Sequence, residues 1–176
     1  MPARSKQDIE RLFARLNEEL RATSVNGEVY LVGGAVMCLV FGARESTRDV
    51  DGYFVPTKKI REAAARVAVE AGLDQNWLND GVKGYLSEKG SFSKHLELSN
   101  LKVFCADAKY LLAMKCLAMR IGEEFQDLED VRYLLRHIGL REYDEAVQVI
   151  TKYYPIEQFP QKTLCALEEI REEMSK

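Results

Sequence analysis

Only two histidines, His95 and His137, occur in the 176 residues, and the four cysteines, Cys38, Cys105, Cys116 and Cys165, stand far apart with no C-x-x-C among them. That scarcity argues against a zinc centre. Each cysteine sits among apolar residues and reads as a buried small hydrophobe. No apolar run approaches the roughly 20 residues of a membrane-spanning helix. The N-terminus, with Arg4, Lys6 and Asp8, lacks the apolar core of a signal peptide. No membrane partner and a cytoplasmic address are therefore expected. The net charge of −3 argues against a broad, nonspecific grip on nucleic acid, leaving a local basic patch open. No internal repeat, low-complexity stretch or disordered linker interrupts the chain.

What is present is an ordinary globular composition, 47% hydrophobic and 30% charged, in a chain long enough to bury a core. One stretch organises it. Leu31-Val-Gly-Gly-Ala-Val-Met-Cys-Leu39 reads as a strand, a glycine turn and an apolar helix, and Thr47-Arg-Asp-Val-Asp-Gly-Tyr-Phe54 reads as a second strand. On a strand, side chains two residues apart share a face at roughly 7 Å, so Asp49 and Asp51 project together while Val50 enters the core. Two hard oxygen ligands at that spacing suit Mg²⁺ (or Mn²⁺), which takes one or two carboxylates plus substrate phosphates. Gly33 and Gly34 let backbone approach a ligand and open a helix whose free N–H groups favour an anion. Of the two arginines at the mouth of this site, Arg44 is the better phosphate contact, because Arg48 precedes Asp49 and points to the opposite face.

The remaining elements follow from periodicity. Ile9, Leu12, Phe13, Leu16 and Leu20 form one stripe of a helix over 8–21, and Asn26-Gly27 turns into a strand over 28–32. Pro56 ends the acidic strand, and a helix over 57–71 stops at Gly72. Residues 73–92 are irregular; Trp77 either plugs the fold or serves a lid that stacks on a base, with Lys83 as a phosphate contact. Strands are expected within 93–106, and from Asp107, a plausible N-cap, the pattern is helical. The fold class expected is α+β: a mixed sheet with flanking helices over 1–106, and a helical region over 107–176 packed on it.

Two charges stand out in the helical half. Lys115 is nearly the only charge in an apolar helix over 107–121, and Asp127 falls on the inward edge of the next helix, over 125–137, with Asp130 further round the same side. A buried ammonium and an inward carboxylate each need a partner, so the two are expected within salt-bridge reach, at the rim of the cleft holding Asp49 and Asp51.

The order of hydrophobic strand, Gly33-Gly34, helix and Arg44-x-x-Thr-Arg-Asp-x-Asp51 resembles the minimal nucleotidyltransferase superfamily, whose fold is that of DNA polymerase beta. Within it, the chain is most similar to bacterial abortive-infection (AbiEii-type) nucleotidyltransferase-like proteins, which continue with a helical lysine and an Asp-x-x-Asp pair, here Lys115, Asp127 and Asp130. The similarity spans about residues 28 to 138. It implies catalytic roles for Asp49, Asp51, Lys115 and Asp127 and nucleotide binding by Gly33, Gly34 and Arg44. A third carboxylate usual in the superfamily is missing from Leu101–Ala106, leaving Glu97 as the best candidate and Asp107 as a late one.

Three functions are compatible with these residues. The first is Mg²⁺-dependent transfer of a nucleoside monophosphate from an NTP to an acceptor hydroxyl on RNA, protein or a small molecule, in a toxin–antitoxin or phage-defence setting. The second is a domain that has lost catalysis and serves as a binding or toxin–antitoxin partner protein. The third, a nucleotide-sugar enzyme with a metal-binding Asp-x-Asp, leaves the Gly-Gly turn unexplained.

Overall fold

A computed structural model describes residues 2–122 and 125–176. It is α+β, with a mixed five-stranded sheet and seven α-helices among the described residues. The chain divides into two compact units, Met1–Gly84 with Phe92–Ala106, and Tyr85–Ser91 with Asp107–Lys176. Sequence places one boundary at 106/107; the excursion of 85–91 into the second unit is the difference. Its cause is local: the Ser87 N–H donates to the Tyr110 hydroxyl at 2.9 Å, the Ser87 hydroxyl donates to the Tyr153 carbonyl at 2.6 Å, and a side chain at Gly90 would strike the Tyr110 ring.

In the first unit, strand β1 (Arg4–Ser5) leads into helix α1 (Lys6–Ala22) through a capping box. The Asp8 N–H donates to the Ser5 hydroxyl, and the Ser5 N–H donates to the Asp8 carboxylate at 2.9 Å. The predicted stripe Ile9, Leu12, Phe13, Leu16 and Leu20 is buried. Strand β2 (Gly27–Val32) runs directly into helix α2 (Gly33–Leu39), whose residues Ala35–Leu39 are all buried. After β3 (Ser46–Thr47), which pairs with β1, come β4 (Val50–Val55), α3 (Thr57–Ala71) and a two-residue strand β5 (Leu78–Asn79). The hairpin β6 (Phe92–Glu97) and β7 (Leu101–Ala106) completes the unit.

The sheet order is β5-β4-β2-β7-β6, with β4 antiparallel and β7 parallel to the central β2. Alternation sorts its two faces. Val29, Leu31, Val50 and Phe54 are buried on the face where α1 and α3 pack. Asp51, Tyr53 and Tyr30 take the other face, where Tyr53, Tyr30 and Phe104 stack across three strands with ring centroids 4.5 and 4.8 Å apart. Gly52 is required beneath them, because a Cβ there would collide with the Tyr30 carbonyl.

The second unit holds α4 (Ala108–Leu117), α5 (Asp127–Ile138), α6 (Tyr143–Ile150) and α7 (Gln161–Met174). No strand occurs among the described residues beyond Ala106. Helix α4 ends four residues before the predicted Ile121, since the Arg120 N–H donates to Asp127 at 3.1 Å instead of continuing the helix. Asp107 occupies the N-cap position, but its side chain makes no cap hydrogen bond. Cys38, Cys105 and Cys116 are buried as expected; Cys165 is not, because it lies on the exposed side of α7. Among the described residues, no helix is long and apolar enough to cross a membrane.

Candidate functional site

The glycine turn and the acidic strand meet because β2 and β4 are antiparallel neighbours. Val32, the last residue of β2, is the Cα partner of Asp51, so the next residue, Gly33, lies beside the aspartate. Gly33 has φ +66°, a left-handed conformation suited to glycine, and a Cβ there would lie 3.6 Å from Asp51 Oδ2. At Gly34 a Cβ would come within 2.7 Å of Thr47 Oγ1 and 2.9 Å of Arg44 Nη1. The half-buried Arg44 therefore lies across the Gly-Gly turn, and glycine is what admits it. Helix α2 has only seven residues, and the cation that lies beside this turn is the Arg44 guanidinium.

The segment that carries the acids is held from below. The Thr47 hydroxyl donates to the Asp49 carbonyl at 3.2 Å, and Arg4 Nη1 donates to the Arg48 carbonyl at 2.7 Å. Arg4 is only 4% exposed, and its Nε and Nη2 find no hydrogen-bond partner among the described residues. Asp49 is exposed and precedes β4 rather than lying on it. It opens onto a cleft of about 490 Å³ lined also by Arg48, Arg61, Asn76, Asn79 and Asp80. In this cleft hydrogen bonds from Lys83 and then Arg61 hold the Asp80 carboxyl below its ordinary range.

Asp51 is half-buried, and its Oδ1 accepts a hydrogen bond from the amide of Asn79, its partner on β5. Sequence reasoning passed over Asn79. The signal was there, in an Asn-Asp pair directly after Trp77-Leu78, but a two-residue strand has no periodicity to reveal it.

Several expectations need correction. Glu97 is exposed on β6, the far edge of the sheet, three strand steps from β4 and so about 14 Å away. It pairs with Lys94 and, at 3.7 Å, with Lys102, and is not placed to share an ion with Asp51. Trp77 is a plug: it is 1% exposed, donates from Nε1 to the Ala64 carbonyl at 2.9 Å and packs on Phe13. A ring held this way is not available as a lid that stacks on a base. Lys83 pairs with Asp80 at 2.7 Å. Among the described residues no group of three or more His, Cys, Asp or Glu side chains is placed to hold a metal. Asp49 and Asp51 are the two carboxylates that could take part in holding one Mg²⁺ whose other ligands come from phosphates and water; Asp49 lines the cleft with Asn79 and Asp80, whereas Asp51 Oδ2 lies beside the Gly-Gly turn.

The second unit contains the other predicted residues. Lys115 Nζ lies 3.2 Å from Asp127 and 2.7 Å from Asp130, and Arg120 Nε lies 2.9 Å from Asp127. The side chains of Lys115, Asp127 and Asp130 are 10%, 5% and 3% exposed. Burial works to raise the Asp127 pKa, but the Arg120 hydrogen bonds and the Lys115 charge outweigh it and hold the carboxyl below its ordinary range. Two cations and two carboxylates compensate one another here, which is the arrangement of a structural ion cluster joining α4 to α5.

No protein-family model matches the chain, and no curated protein or solved structure is similar enough to count as a match.

Proposed function

We propose that the first unit is a nucleotidyltransferase-like domain that binds a nucleoside triphosphate with Mg²⁺ and transfers its nucleoside monophosphate to an acceptor hydroxyl on RNA, protein or a small molecule. The observation that carries the reading is the adjacency of Asp51 Oδ2 and the Gly33-Gly34 turn, with Arg44 lying across Gly34. A phosphate over the turn meets the Arg44 guanidinium on one side and the acidic strand on the other. Asp49 and Asp51 would hold Mg²⁺, which when bound supplies charge neutralisation at the phosphates. Arg44 orients the phosphate chain through a planar donor fork, and Thr47 and Arg4 keep the Arg48–Asp49 backbone in place. Lys115 and Asp127 act in this reading as structure, since each already has its partners.

A second reading is favoured by Asn79: the domain binds Mg²⁺ and nucleotide but has lost transfer, and works as a partner protein in a toxin–antitoxin or phage-defence pair. An amide donates to Asp51 from the neighbouring strand, where a further carboxylate would serve a second ion. Incubation with α-labelled NTPs, Mg²⁺ and whole-cell RNA, protein or small-molecule fractions separates the two. Label appearing covalently in one fraction supports transfer; nucleotide binding without label in any fraction supports the second reading.

A further inference from the structure

The cleft at Asp49 lies on the side of β4 away from the Gly-Gly turn. The sheet order sets β4 between β5 and β2; the turn extends β2, whereas Leu78 and Asn79 of β5 line the cleft. Displacement at phosphorus runs in line, with the attacking oxygen opposite the leaving one. On the reading that the turn holds the phosphates of an NTP, the leaving group lies toward β2 and the attacking hydroxyl comes from the β5 side, where the cleft opens. Its volume of about 490 Å³ is that of a small-molecule site.

The lining decides what can carry that hydroxyl. Arg48 and Arg61 share it with Asp49, Asp74 and Asp80, and Lys83, 2.7 Å from Asp80, brings a third cation, so the charges balance. The exposed Arg48, Gln75 and Asn76 side chains supply N–H donors, while the exposed Asp49 and Asp74 supply acceptors. None of the described residues lining the cleft is aromatic, since Trp77 turns inward to the Ala64 carbonyl. An RNA acceptor calls for surplus cations along its phosphates and for rings that stack its bases. A hydroxyl both donates and accepts, so an uncharged ligand with several hydroxyls matches this mixed, balanced lining. We propose that the cleft is the acceptor subsite of the transfer reaction and that the acceptor is a small, uncharged polyol. One of its hydroxyl oxygens bonds to the α-phosphorus as the bond from that phosphorus to the bridging oxygen breaks. Pyrophosphate departs with the electron pair, and the hydroxyl proton passes to water in the open cleft.

The test incubates the full chain with Mg²⁺ and α-labelled ATP, CTP, GTP and UTP against cellular RNA, cellular protein, and a small-molecule extract split by ion exchange into neutral, cationic and anionic fractions. Label is expected in the neutral fraction, and periodate cleavage of vicinal diols in that fraction beforehand should abolish it. Arg48→Ala and Asn76→Ala should each lower labelling about tenfold at limiting neutral extract, with recovery at saturating extract and unchanged NTP affinity by calorimetry. Label confined to RNA, to protein or to a charged fraction overturns the inference and leaves the transfer reading standing. Labelling of the neutral fraction that neither variant reduces overturns the cleft as its seat. No label in any pool overturns the inference together with the transfer reading, and calorimetry then shows whether nucleotide binding survives. Should one variant fail to fold, the other decides.

Discussion

The ammonium of Lys115 sits between two carboxylates, 2.7 Å from Asp130 and 3.2 Å from Asp127; both aspartates are buried and the lysine side chain is only 10% exposed. Removing one partner of such a cluster leaves charge uncompensated, at a typical cost of about 3–5 kcal/mol. Lys115→Met is therefore expected to lower the melting temperature sharply while leaving any nucleotide affinity of the folded protein unchanged. Thermal unfolding and nucleotide titration on this variant check both halves.

The same cluster predicts acid sensitivity. Folding holds the Asp127 carboxyl below its unfolded value, against burial and through Arg120 and Lys115. Its contribution is thus fully present above the ordinary carboxylate pKa of about 4 and is lost as pH falls from there through the lower folded value. Urea denaturation at a series of pH values should show this loss in the native chain. Asp127→Asn should flatten the profile in that window.

Arg4 gives a prediction in the opposite sense. It is a buried cation with one hydrogen bond, to the Arg48 carbonyl, and two donor nitrogens without partners. Arg4→Met exchanges that hydrogen bond for relief of two buried donor nitrogens without hydrogen-bond partners, so the net change in stability is expected within about 1 kcal/mol. Loosening the Arg48–Asp49 backbone should nevertheless weaken Mg²⁺·NTP binding. Chemical denaturation and calorimetry on Arg4→Met separate these effects.

Trp77 supplies an optical check. Since its ring is buried on Phe13 and its Nε1 is committed to Ala64, acrylamide quenching of the single tryptophan should be weak. It should stay the same when Mg²⁺ and NTP are added. Quenching that is strong and suppressed by nucleotide would restore Trp77 as a base-stacking residue.

The fold was legible wherever a pattern had room to repeat. The α1 stripe, the strand into Gly33, the helix closed by Gly72 and the helical half after Asp107 all rest on several residues with one period. The meeting of Lys115 with Asp127 was legible for a different reason: Lys115 is nearly the only charge in an apolar helix and Asp127 sits on the inward edge of the next helix's stripe, and a buried charge needs a partner. What escaped was set by the order of strands in the sheet. Glu97 looked like a third carboxylate until the hairpin β6–β7 placed it at the opposite edge from β4. Asn79 looked like part of a loop until parallel pairing set it beside Asp51. Local sequence carries no information on which strands become neighbours across such distances.

The central claim is that the acidic strand and the Gly-Gly turn form one Mg²⁺·NTP site, and calorimetric titration of ATP and GTP in the presence of Mg²⁺ tests it most directly on the native chain, Asp49→Asn and Asp51→Asn. The account predicts Mg²⁺-dependent binding by the native protein that falls at least about tenfold in either folded variant. Equal affinity in all three proteins, or binding that does not depend on Mg²⁺, would contradict it.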